Sequence, residues 1–522
     1  MASNETPALP QTELQFTAPG VPPARGLRLS KSRFTAGRQC HKLLWWKVHE
    51  PDARELQPDR VLQDRFDQGS HVGQLAREQF PGGVLIDLPH NAVQERVEAT
   101  RRAMEAGAPS IYEATFFADD TFVAVDVLLR ELDGSWRLIE VKSSKSAKDE
   151  HMVDAAIQLH VLERSGVRVS AVDIMHLNEE CVYPELGNLL VRTTVTDAVR
   201  ALLPGIPDEI AAQLTMLKGE LPSVKIGLHC SEPYGCAFQE RCWPKDADHI
   251  SRLYWVGRGK RCQEYMNAGI HKIGDIPPKK KLSETARRQI RAMNEKRTIV
   301  EDGLAAALEP FNARIGFLDF ETIQRAVPVW PGMGPWDQEP AQFSYHEFDY
   351  SRSALTPEDE SRGHVEFLAE GAEDCRPALA EKMIAATRNA KHVVSFSAFE
   401  KTRIRGLQES VPDLRDELVE LEHKLIDLLP VLRDHVYHPG FHGSFSLKVV
   451  LPVMVPELTY EDLVIFDGMV ASVEIARLLF LTGKVTDEER ERVRRDLLAY
   501  CRRDTWAMVK LLQQLKGLSR SG

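Results

Sequence analysis

Residues 121–144 read TFVAVDVLLRELDGSWRLIEVKSS, and this stretch decides the fold of the first half of the chain. Two runs rich in Val, Leu and Ile flank the pair Asp133-Gly134, a pattern that predicts two antiparallel strands joined by a hairpin turn. Because successive side chains of a strand point to opposite faces, Glu140 and Lys142 share one face of the second strand. The stretch therefore predicts a hairpin that carries an acidic and a basic group side by side.

The length of the turn fixes the position of Asp126 on the first strand. A three-residue loop at positions 132–134, with Gly134 in the left-handed conformation, has an odd number of residues. With that loop, Asp126 lies directly opposite Glu140. A two-residue loop would place Asp126 on the other face of the sheet.

Asp126, Glu140 and Lys142 then form one group on one face. Two carboxylates bind a hard divalent cation such as Mg²⁺ or Mn²⁺ through oxygen, and such a cation lowers the pKa of a bound water and stabilises a phosphate under attack. A lysine beside them orients the water or offsets developing charge. An amphipathic hairpin with a solvated face carries the same pattern, so this group alone leaves both interpretations open.

Two flanking segments extend the pattern. Upstream, FDQGSHVGQLAREQF places His71 on a predicted helix, and downstream DAAIQLHVL places Asp154 and Gln158 on one helical face. The order His, Asp, Glu-x-Lys, Gln resembles the RecB-type nucleases of the PD-(D/E)XK superfamily.

That resemblance implies that His71, Asp126 and Glu140 are metal ligands. It also implies that Lys142 is the catalytic lysine and that Gln158 is the first residue of the helical motif. The helical motif usually carries a Tyr four residues after its first residue, where this chain has Leu162. The chain therefore departs from the family at the position of that Tyr.

Three of the eight cysteines fall within thirteen residues, in GLHCSEPYGCAFQERCW. Cys230, Cys236 and Cys242 are each separated by five residues, whereas zinc sites favour pairs separated by two to four. Iron–sulfur clusters accept wider spacing. The cysteine spacing thus favours an iron–sulfur cluster over zinc, and a disulfide scaffold is not expected at so low a cysteine content.

One further cysteine, Cys40, precedes the hairpin. One cysteine before the nuclease motifs and three after them resembles the iron–sulfur staple of AddB-type and CRISPR-associated RecB-like nucleases. The resemblance implies a 4Fe–4S cluster held by Cys40, Cys230, Cys236 and Cys242. Zinc bound with the help of His41 and His229, or unrelated thiols, are the alternatives. The other cysteines are expected in the core: Cys181, Cys262, Cys375 and Cys501.

The second half of the chain carries another carboxylate group. IGFLDFET places Asp319 and Glu321 on one face of a predicted strand, and LLAYCRRDTWAMV places Tyr500 and Asp504 one helical turn apart. Between them, HVVSFSAFEKTRI leads from a strand to Glu400. This order resembles the DEDD exonucleases of the ribonuclease-H-like fold.

The second resemblance implies two metal ions and a Tyr, Tyr500, that places the attacking water. Glu400 occupies a slot that usually holds Asp, and the Asn that usually precedes it is absent. Asp427, in LIDLLPVL, is the alternative third carboxylate. Asp-x-Glu and Tyr-x3-Asp are also common without function. The implied metal ligands are Asp319, Glu321, Glu400 and Asp504.

GSFSLKVVLP, at residues 443–452, resembles a motif in a bacterial domain of unknown function that follows a RecB-like nuclease. Lys448 in this motif is either a phosphate contact or a solvated lysine.

The composition, with 43% hydrophobic and 27% charged residues, is that of a globular chain. The net charge of −11 argues against non-specific coating of nucleic acid but permits a local basic groove. No membrane association is expected, because the longest apolar run, 463–481, is interrupted by charged residues. The N-terminus shows no secretory signal, which predicts a cytoplasmic protein.

We predict two mixed-sheet α/β nuclease domains, restriction-endonuclease-like and ribonuclease-H-like, joined by a helical connector. The predicted boundaries are a flexible tail at 1–26, the PD-(D/E)XK domain with its cluster at 27–245, a basic helical connector at 246–310, and the exonuclease-like domain at 311–515.

The resemblances together imply a metal-dependent nuclease whose second site is 3′–5′ exonuclease-like, acting on DNA in preference to RNA. The rivals are a nucleic-acid-binding adaptor with one or both centres inactive, and a zinc-stabilised scaffold. The chain has no G-x4-G-K-[ST] nucleotide-binding motif. The sequence leaves the pathway, strand polarity, protein partners and oligomeric state open.

Overall fold

A computed structural model describes residues 27–350, 357–481 and 485–521. Within them helices combine with mixed sheets, which confirms the predicted α/β class. The predicted flexible tail lies outside the described residues. In the described part of the chain, no helix is both long enough and apolar enough to cross a bilayer. The chain divides into two compact units: the first comprises residues up to 56, 69–178 and 190–225, and the second comprises 57–68, 179–189 and 226 onward.

A seven-stranded mixed sheet forms the centre of the first unit. Its strands follow the order β2-β3-β4-β5-β6-β7, with β1 paired in parallel to the start of β4. Strands β1–β7 are Leu29–Ser30, Val84–Leu85, Ser110–Ala118, Thr121–Arg130, Trp136–Lys142, Val169–Leu177 and Leu190–Thr194. Helices α1–α7 are Lys31–Gln39, His41–His49, Arg60–Glu78, Val93–Glu105, Asp149–Arg164, Thr196–Leu202 and Ile206–Leu217.

The hairpin β4–β5 has the register expected from the odd-length loop. The Glu131 N–H donates to the Ser135 carbonyl at 2.8 Å, which closes a three-residue loop, and Gly134 has φ +78°. Val127 lies opposite Ile139, so the next position along each strand pairs Asp126 with Glu140. The predicted turn and register are confirmed.

Helix α5 packs on this sheet, and residues 155–162 in its second half are buried. Ala155, Leu159 and Leu162 on it are fully buried in the hydrophobic core of the first unit. Gln158 is also fully buried, on the same helix. Leu162, which stands where the RecB-type motif has Tyr, is therefore a core residue.

The second unit is built on a five-stranded mixed sheet of order β11-β10-β9-β12-β13, in which β10 is antiparallel to both neighbours and β9, β12 and β13 are parallel. Strands β8–β14 are Ile299–Val300, Arg314–Gln324, Gln338–Asp349, Val365–Leu368, His392–Ser395, Leu425–Asp427 and Val436–Tyr437. Helices α8–α18 are Gln239–Cys242, Lys260–Asn267, Glu284–Glu295, Leu304–Ala307, Arg376–Thr387, Phe399–Ser410, Arg415–Lys424, Leu428–His435, Leu447–Met454, Gly468–Phe480 and Asp487–Ser521.

Strand β9 separates two hydrophobic cores of this unit. Leu318 and Phe320 pack against α12–α14 on one face. Phe317 and Ile323, on the opposite face, belong to the cores that contain α17 and α18. Side-chain alternation therefore directs the odd-numbered residues between them toward α17 and α18.

Residues 246–310, the predicted basic connector, belong to the second unit and contain α9–α11. Arg288 is buried and pairs with Glu301 at 2.7 Å, and Arg291 reaches the same carboxylate at 2.6 Å. These two cations stabilise the unit internally. The role of the segment in contacting phosphates stays a prediction.

Candidate functional site

The first cluster is centred on two carboxylates of the β4–β5 hairpin. Asp126 and Glu140 lie on neighbouring strands, and the Val141 N–H donates to Asp126 Oδ2 at 2.7 Å. Glu140 is 1% exposed. The hairpin therefore brings both groups together in a buried setting, as its register predicts.

Glu140 is surrounded by donors from two helices and its own strand. Lys142 Nζ lies 2.8 Å from Glu140 Oε1 and 2.6 Å from Asp154 Oδ2. Gln158 Nε2 donates to Glu140 Oε2 at 2.7 Å, while Gln158 Oε1 is buried without a hydrogen bond among the described residues. Every one of these residues was singled out from the sequence pattern, and the structure brings them together.

Lys31 completes this cluster and was missed by sequence reasoning. Its Nζ lies 2.7 Å from Glu140 Oε1. Ser30 caps α1 through a hydrogen bond from the Arg33 N–H, and β1 pairs with the start of β4, so the first residue of α1 is placed beside the hairpin. The sequence signals the helix start, but it does not signal a partner 109 residues away.

The two lysines determine the charge state of the cluster. Burial raises the pKa of Glu140, but the charges of Lys142 and Lys31 outweigh burial and hold the pKa below its usual range. Burial and the charge of Glu140 raise the pKa of Asp126 to about 7. Burial lowers the pKa of Lys142, but Glu140 and Asp154 raise it further, so the pKa lies above its usual range. Lys142 is therefore an ammonium group at neutral pH.

His71 is an exposed side chain on α3. Among the described residues, no hydrogen bond or ion pair joins it to Asp126 or Glu140. The structure does not bring His71 into the first cluster, and its role as a metal ligand stays a prediction.

The second cluster consists of Asp319, Glu321 and Asp504. One carboxylate oxygen from each lies within 4.8 Å of the others. Asp319 and Glu321 come from the face of β9 that is directed toward α18, and Asp504 comes from α18 itself. The alternation of side chains along β9 and the position of Asp504 on α18 therefore bring the three carboxylates together, as the DEDD resemblance implies.

Two tyrosines and a cysteine surround the second cluster. Tyr460 donates a hydrogen bond to Asp504 Oδ1. Tyr500 is buried, and its burial raises the pKa of its hydroxyl far above the usual range, so the phenol stays neutral. The Cys501 thiol lies 3.8 Å from Asp319 Oδ2. Tyr460 lies in an irregular segment and carries no sequence motif, which is why sequence reasoning missed it.

Burial and mutual repulsion act on all three carboxylates of the second cluster. Burial, with the charge of Asp504 next in size, raises the pKa of both Asp319 and Glu321 well above the usual range. Burial also raises the pKa of Asp504 to about 6, against the hydrogen bonds from Tyr460 and Tyr500. Three converging carboxylates of this kind could hold a metal ion.

Glu400, on α13, is the fourth carboxylate near this point. It is buried, and its charge acts on the pKa of both Asp319 and Glu321. Burial raises its own pKa to about 7. The alternative residue, Asp427, caps α15 by accepting a hydrogen bond from the Leu429 N–H at 2.9 Å. The charge of Asp427 also raises the pKa of Glu400, ahead of the charge of Asp504, so the choice between Glu400 and Asp427 as the third carboxylate stays a prediction.

A cleft of about 410 Å³ opens beside Glu321. Aromatic and thioether side chains form part of its wall, together with amides and charged groups. The residues that line it include Glu321, Trp336, Phe399, Asp467 and Met469. The cleft gives an extended ligand a path to the second cluster.

Among the described residues, the eight cysteines form no disulfide. Cys181, Cys262, Cys375 and Cys501 are buried, which confirms their predicted core positions. Of the four predicted ligands of the iron–sulfur cluster, Cys40 belongs to the first unit, and Cys230, Cys236 and Cys242 belong to the second. Within the described residues, the groups of three His, Cys, Asp or Glu ligand atoms within 4.8 Å do not include cysteine. The iron–sulfur cluster stays a prediction.

Comparison with known protein families gives one match. Residues 316–446 match the family described as Domain of unknown function (DUF2779). The matched segment contains Asp319, Glu321 and Glu400 but ends before Tyr500 and Asp504, and it is consistent with the resemblance to a bacterial domain of unknown function. The comparison with curated proteins finds no match.

Proposed function

We propose that this protein is a metal-dependent nuclease that hydrolyses phosphodiester bonds, preferentially in DNA. The observation that carries the proposal is the convergence of Asp319, Glu321 and Asp504 from a strand and a distant helix. The mixed five-stranded sheet with helices on both faces is compatible with the ribonuclease-H-like resemblance.

The donor set of the second cluster fits Mg²⁺ or Mn²⁺. All three groups are carboxylates, the ligand type that hard divalent cations prefer. Glu321 is 6% exposed, and within the described residues no hydrogen bond or ion pair reaches its carboxylate. A buried anion without a partner is costly unless a cation compensates it. When bound there, the cation supplies Lewis acidity and charge neutralisation for phosphate chemistry.

The residues around the second cluster have distinct tasks in this proposal. Tyr460 holds Asp504 in a fixed orientation through its hydrogen bond. Tyr500 is a neutral phenol beside the carboxylates and orients the attacking water. In the reaction, the water loses a proton to solvent as its oxygen bonds to phosphorus. The P–O bond to the 3′ oxygen of the shortened strand breaks, its electron pair stays on that oxygen, and the oxygen takes up a proton from solvent, which releases a nucleoside 5′-monophosphate.

We infer that the first cluster is a second hydrolytic centre of the PD-(D/E)XK type. Asp126 and Glu140 and the unpaired carbonyl oxygen of Gln158 are all hard oxygen donors, which suits Mg²⁺ or Mn²⁺. Lys142, an ammonium group, orients the nucleophile and offsets charge on the phosphate.

A structural role for the first cluster is the alternative. Both oxygens of Glu140 already accept hydrogen bonds or ion pairs from the protein, from Lys31, Lys142 and Gln158. That arrangement suits a network that holds α1 and α5 to the sheet. The chain would then bind nucleic acid at one inactive and one active centre.

End-labelled single- and double-stranded DNA and RNA, incubated with Mg²⁺ or Mn²⁺, test the proposal. We expect wild-type protein to degrade DNA, Lys142→Ala to keep only exonuclease activity, and the further change Asp504→Asn to remove it. Asp496→Asn, on the same helix as Asp504, is the matched control and should retain wild-type activity. Absence of cleavage in wild-type protein would contradict the nuclease proposal, and unchanged cleavage in Lys142→Ala would support the structural role of the first cluster.

We also propose that the protein carries the 4Fe–4S cluster implied by its cysteine spacing. Protein purified without oxygen should be brown, with about four irons per chain. Cys236→Ser should lose most of the iron, whereas Cys262→Ser, at a buried core position, should keep it. Stoichiometric zinc without iron would contradict this proposal.

A further inference from the structure

Lys448 stands beside the second cluster on α16. Its Nζ lies 3.5 Å from Asp467 Oδ2 and 5.4 Å from the centre of the Tyr500 ring. Gly468, which follows Asp467 in the chain, lies close to both the second cluster and Tyr500. A Cβ atom at Gly468 would lie 3.4 Å from Glu321 Oε2 and 3.9 Å from Tyr500 Oη. Lys448 therefore lies on that side of the second cluster where Glu321 and Tyr500 are found.

The ammonium group of Lys448 is available to a ligand. Its side chain is 34% exposed, and at 3.5 Å its contact with Asp467 is loose. Asp467 already accepts a hydrogen bond from the Met469 N–H at 2.9 Å. Asp467 and Met469 line the cleft that leads to Glu321. A strand that follows this cleft would pass within reach of Lys448.

The other cation that acts on the cluster is already paired. Arg503 precedes Asp504 on α18, but its guanidinium makes two contacts with Asp462, at 2.9 Å and 2.8 Å. Lys448, by contrast, acts electrostatically on both Glu321 and Asp504. Glu400, the fourth carboxylate, is not among the three whose oxygens lie within 4.8 Å of one another.

We propose that the second cluster binds a single divalent cation and that the Lys448 ammonium group contacts the scissile phosphate in place of a second metal ion. Three carboxylates carry enough charge for one cation, and a like charge beside them disfavours another. This inference rests on the proposed nuclease function of the second cluster. It adds that the Lys448 side chain recognises the phosphate that is cleaved there.

In the hydrolytic step, Lys448 keeps its proton. The water loses a proton to solvent as its oxygen forms a bond to phosphorus, the P–O bond to the 3′ oxygen of the shortened strand breaks, and that oxygen takes up a proton from solvent. The ammonium group offsets the negative charge that grows on the phosphate oxygens, which stabilises the transition state more than the bound substrate.

The number of cations is measured by Mn²⁺ binding, with equilibrium dialysis and electron paramagnetic resonance, on whole protein without substrate. Asp504→Asn should bind one Mn²⁺ ion fewer than the wild type, and Asp496→Asn should bind the same number. Lys448→Ala should bind the Mn²⁺ ion of the second cluster more tightly, on the order of fivefold, because a repelling charge is removed.

The contact with phosphate is measured as exonuclease activity in a Lys142→Ala background. Adding Lys448→Ala should lower kcat by about 100-fold with a smaller change in KM, as expected for a group that acts on the transition state. Lys448→Arg should recover part of the rate. The control is Lys382→Ala, which removes an exposed lysine of α12 and should leave both constants unchanged.

Distinct outcomes overturn the two proposals. A loss of two Mn²⁺ ions in Asp504→Asn, or an active Lys142→Ala enzyme whose kcat and Mn²⁺ affinity are unaffected by Lys448→Ala, overturns the role of Lys448 alone. A Lys142→Ala enzyme that binds Mn²⁺ at the second cluster but cleaves nothing overturns the exonuclease proposal and the contact of Lys448 with a reacting phosphate together.

Discussion

The two carboxylate clusters use opposite strategies for buried charge. In the first cluster, Glu140 is paired with Lys31 and Lys142 from within the chain. In the second, Asp319, Glu321 and Asp504 repel one another, and Lys448 stands to one side, beside Asp467. The first cluster is electrostatically satisfied without a metal ion, whereas the negative charge of the second is neutralised by protons or by a cation from solution.

This difference gives the same substitution opposite effects on stability. Removing a charge from a balanced network leaves its partners unpaired, and removing one from a repelling network relieves it. In metal-free protein, Glu140→Gln in the first cluster and Glu321→Gln in the second should therefore change the free energy of unfolding in opposite directions.

The largest effect is expected for Glu140→Gln. The change leaves Lys31 and Lys142, both mostly buried, without their shared counter-ion and should lower the free energy of unfolding by about 3 kcal/mol. Urea unfolding in EDTA measures it. Glu163→Gln, which breaks the half-exposed pair with Arg200, is the control and should cost less than about 1 kcal/mol. A stabilised Glu140→Gln protein would show that the lysines do not depend on Glu140.

Glu321→Gln should have the opposite sign. In EDTA near neutral pH it should raise the free energy of unfolding, because burial and repulsion raise the pKa of Glu321 well above its usual range and the carboxyl therefore destabilises the folded protein. Added Mn²⁺ should stabilise wild-type protein more than the variant, since only the wild type retains the full donor set of the second cluster. Thermal unfolding with and without Mn²⁺ checks both statements, and destabilisation in EDTA would mean that Glu321 is compensated within the protein.

The third prediction concerns the effect of pH on stability through His346, a buried histidine of strand β10. Burial, with smaller contributions from His364 and Arg502, lowers the pKa of His346 to about 3. Below pH 6.5 the unfolded chain therefore binds a proton at this residue that the folded protein does not, so stability falls as the pH falls toward 3.

Relative to His346→Gln, wild-type protein should lose about 1 kcal/mol between pH 6.5 and pH 5.5. Urea unfolding at several pH values measures the difference. Exposed His271, changed to Gln, is the control and should give a profile parallel to that of the wild type. Parallel profiles for His346→Gln would show that His346 titrates normally.

The smallest effect concerns the turn that sets the register of the first cluster. Gly134 has φ +78° and open space around its Cα, so Gly134→Ala should cost up to about 1 kcal/mol through backbone conformation alone. Gly73→Ala, on helix α3 and equally open, should instead be neutral or stabilising. A neutral Gly134→Ala would mean that the loop adopts another turn without loss.

Local periodicity made part of this molecule predictable. One glycine and the alternation of strand side chains gave the pairing of Asp126 with Glu140, and strand and helix spacing brought Asp319 and Asp504 to one cluster. Lys31 and Tyr460 were out of reach, because each meets its partner through chain topology and neither lies in a motif.

His71 shows what the order of a motif leaves open. Family order suggests that it binds metal, and helix α3 carries its side chain exposed. A motif gives the order of residues along the chain, while the rotation of a helix about its axis decides which of them face a site, so the role of His71 stays a prediction.

The position of Asp504 on the last helix, α18, has a consequence for the protein during its synthesis. Asp319 and Glu321 leave the ribosome long before Asp504, and domains fold as their segments emerge. The second cluster is therefore incomplete on every nascent chain until α18 has been made. A partly translated or prematurely terminated product that ends with the matched segment at residue 446 lacks one of the three converging carboxylates. If the proposed function holds, such a product has no complete hydrolytic centre in this unit, and unfinished chains do not expose the cell to that activity.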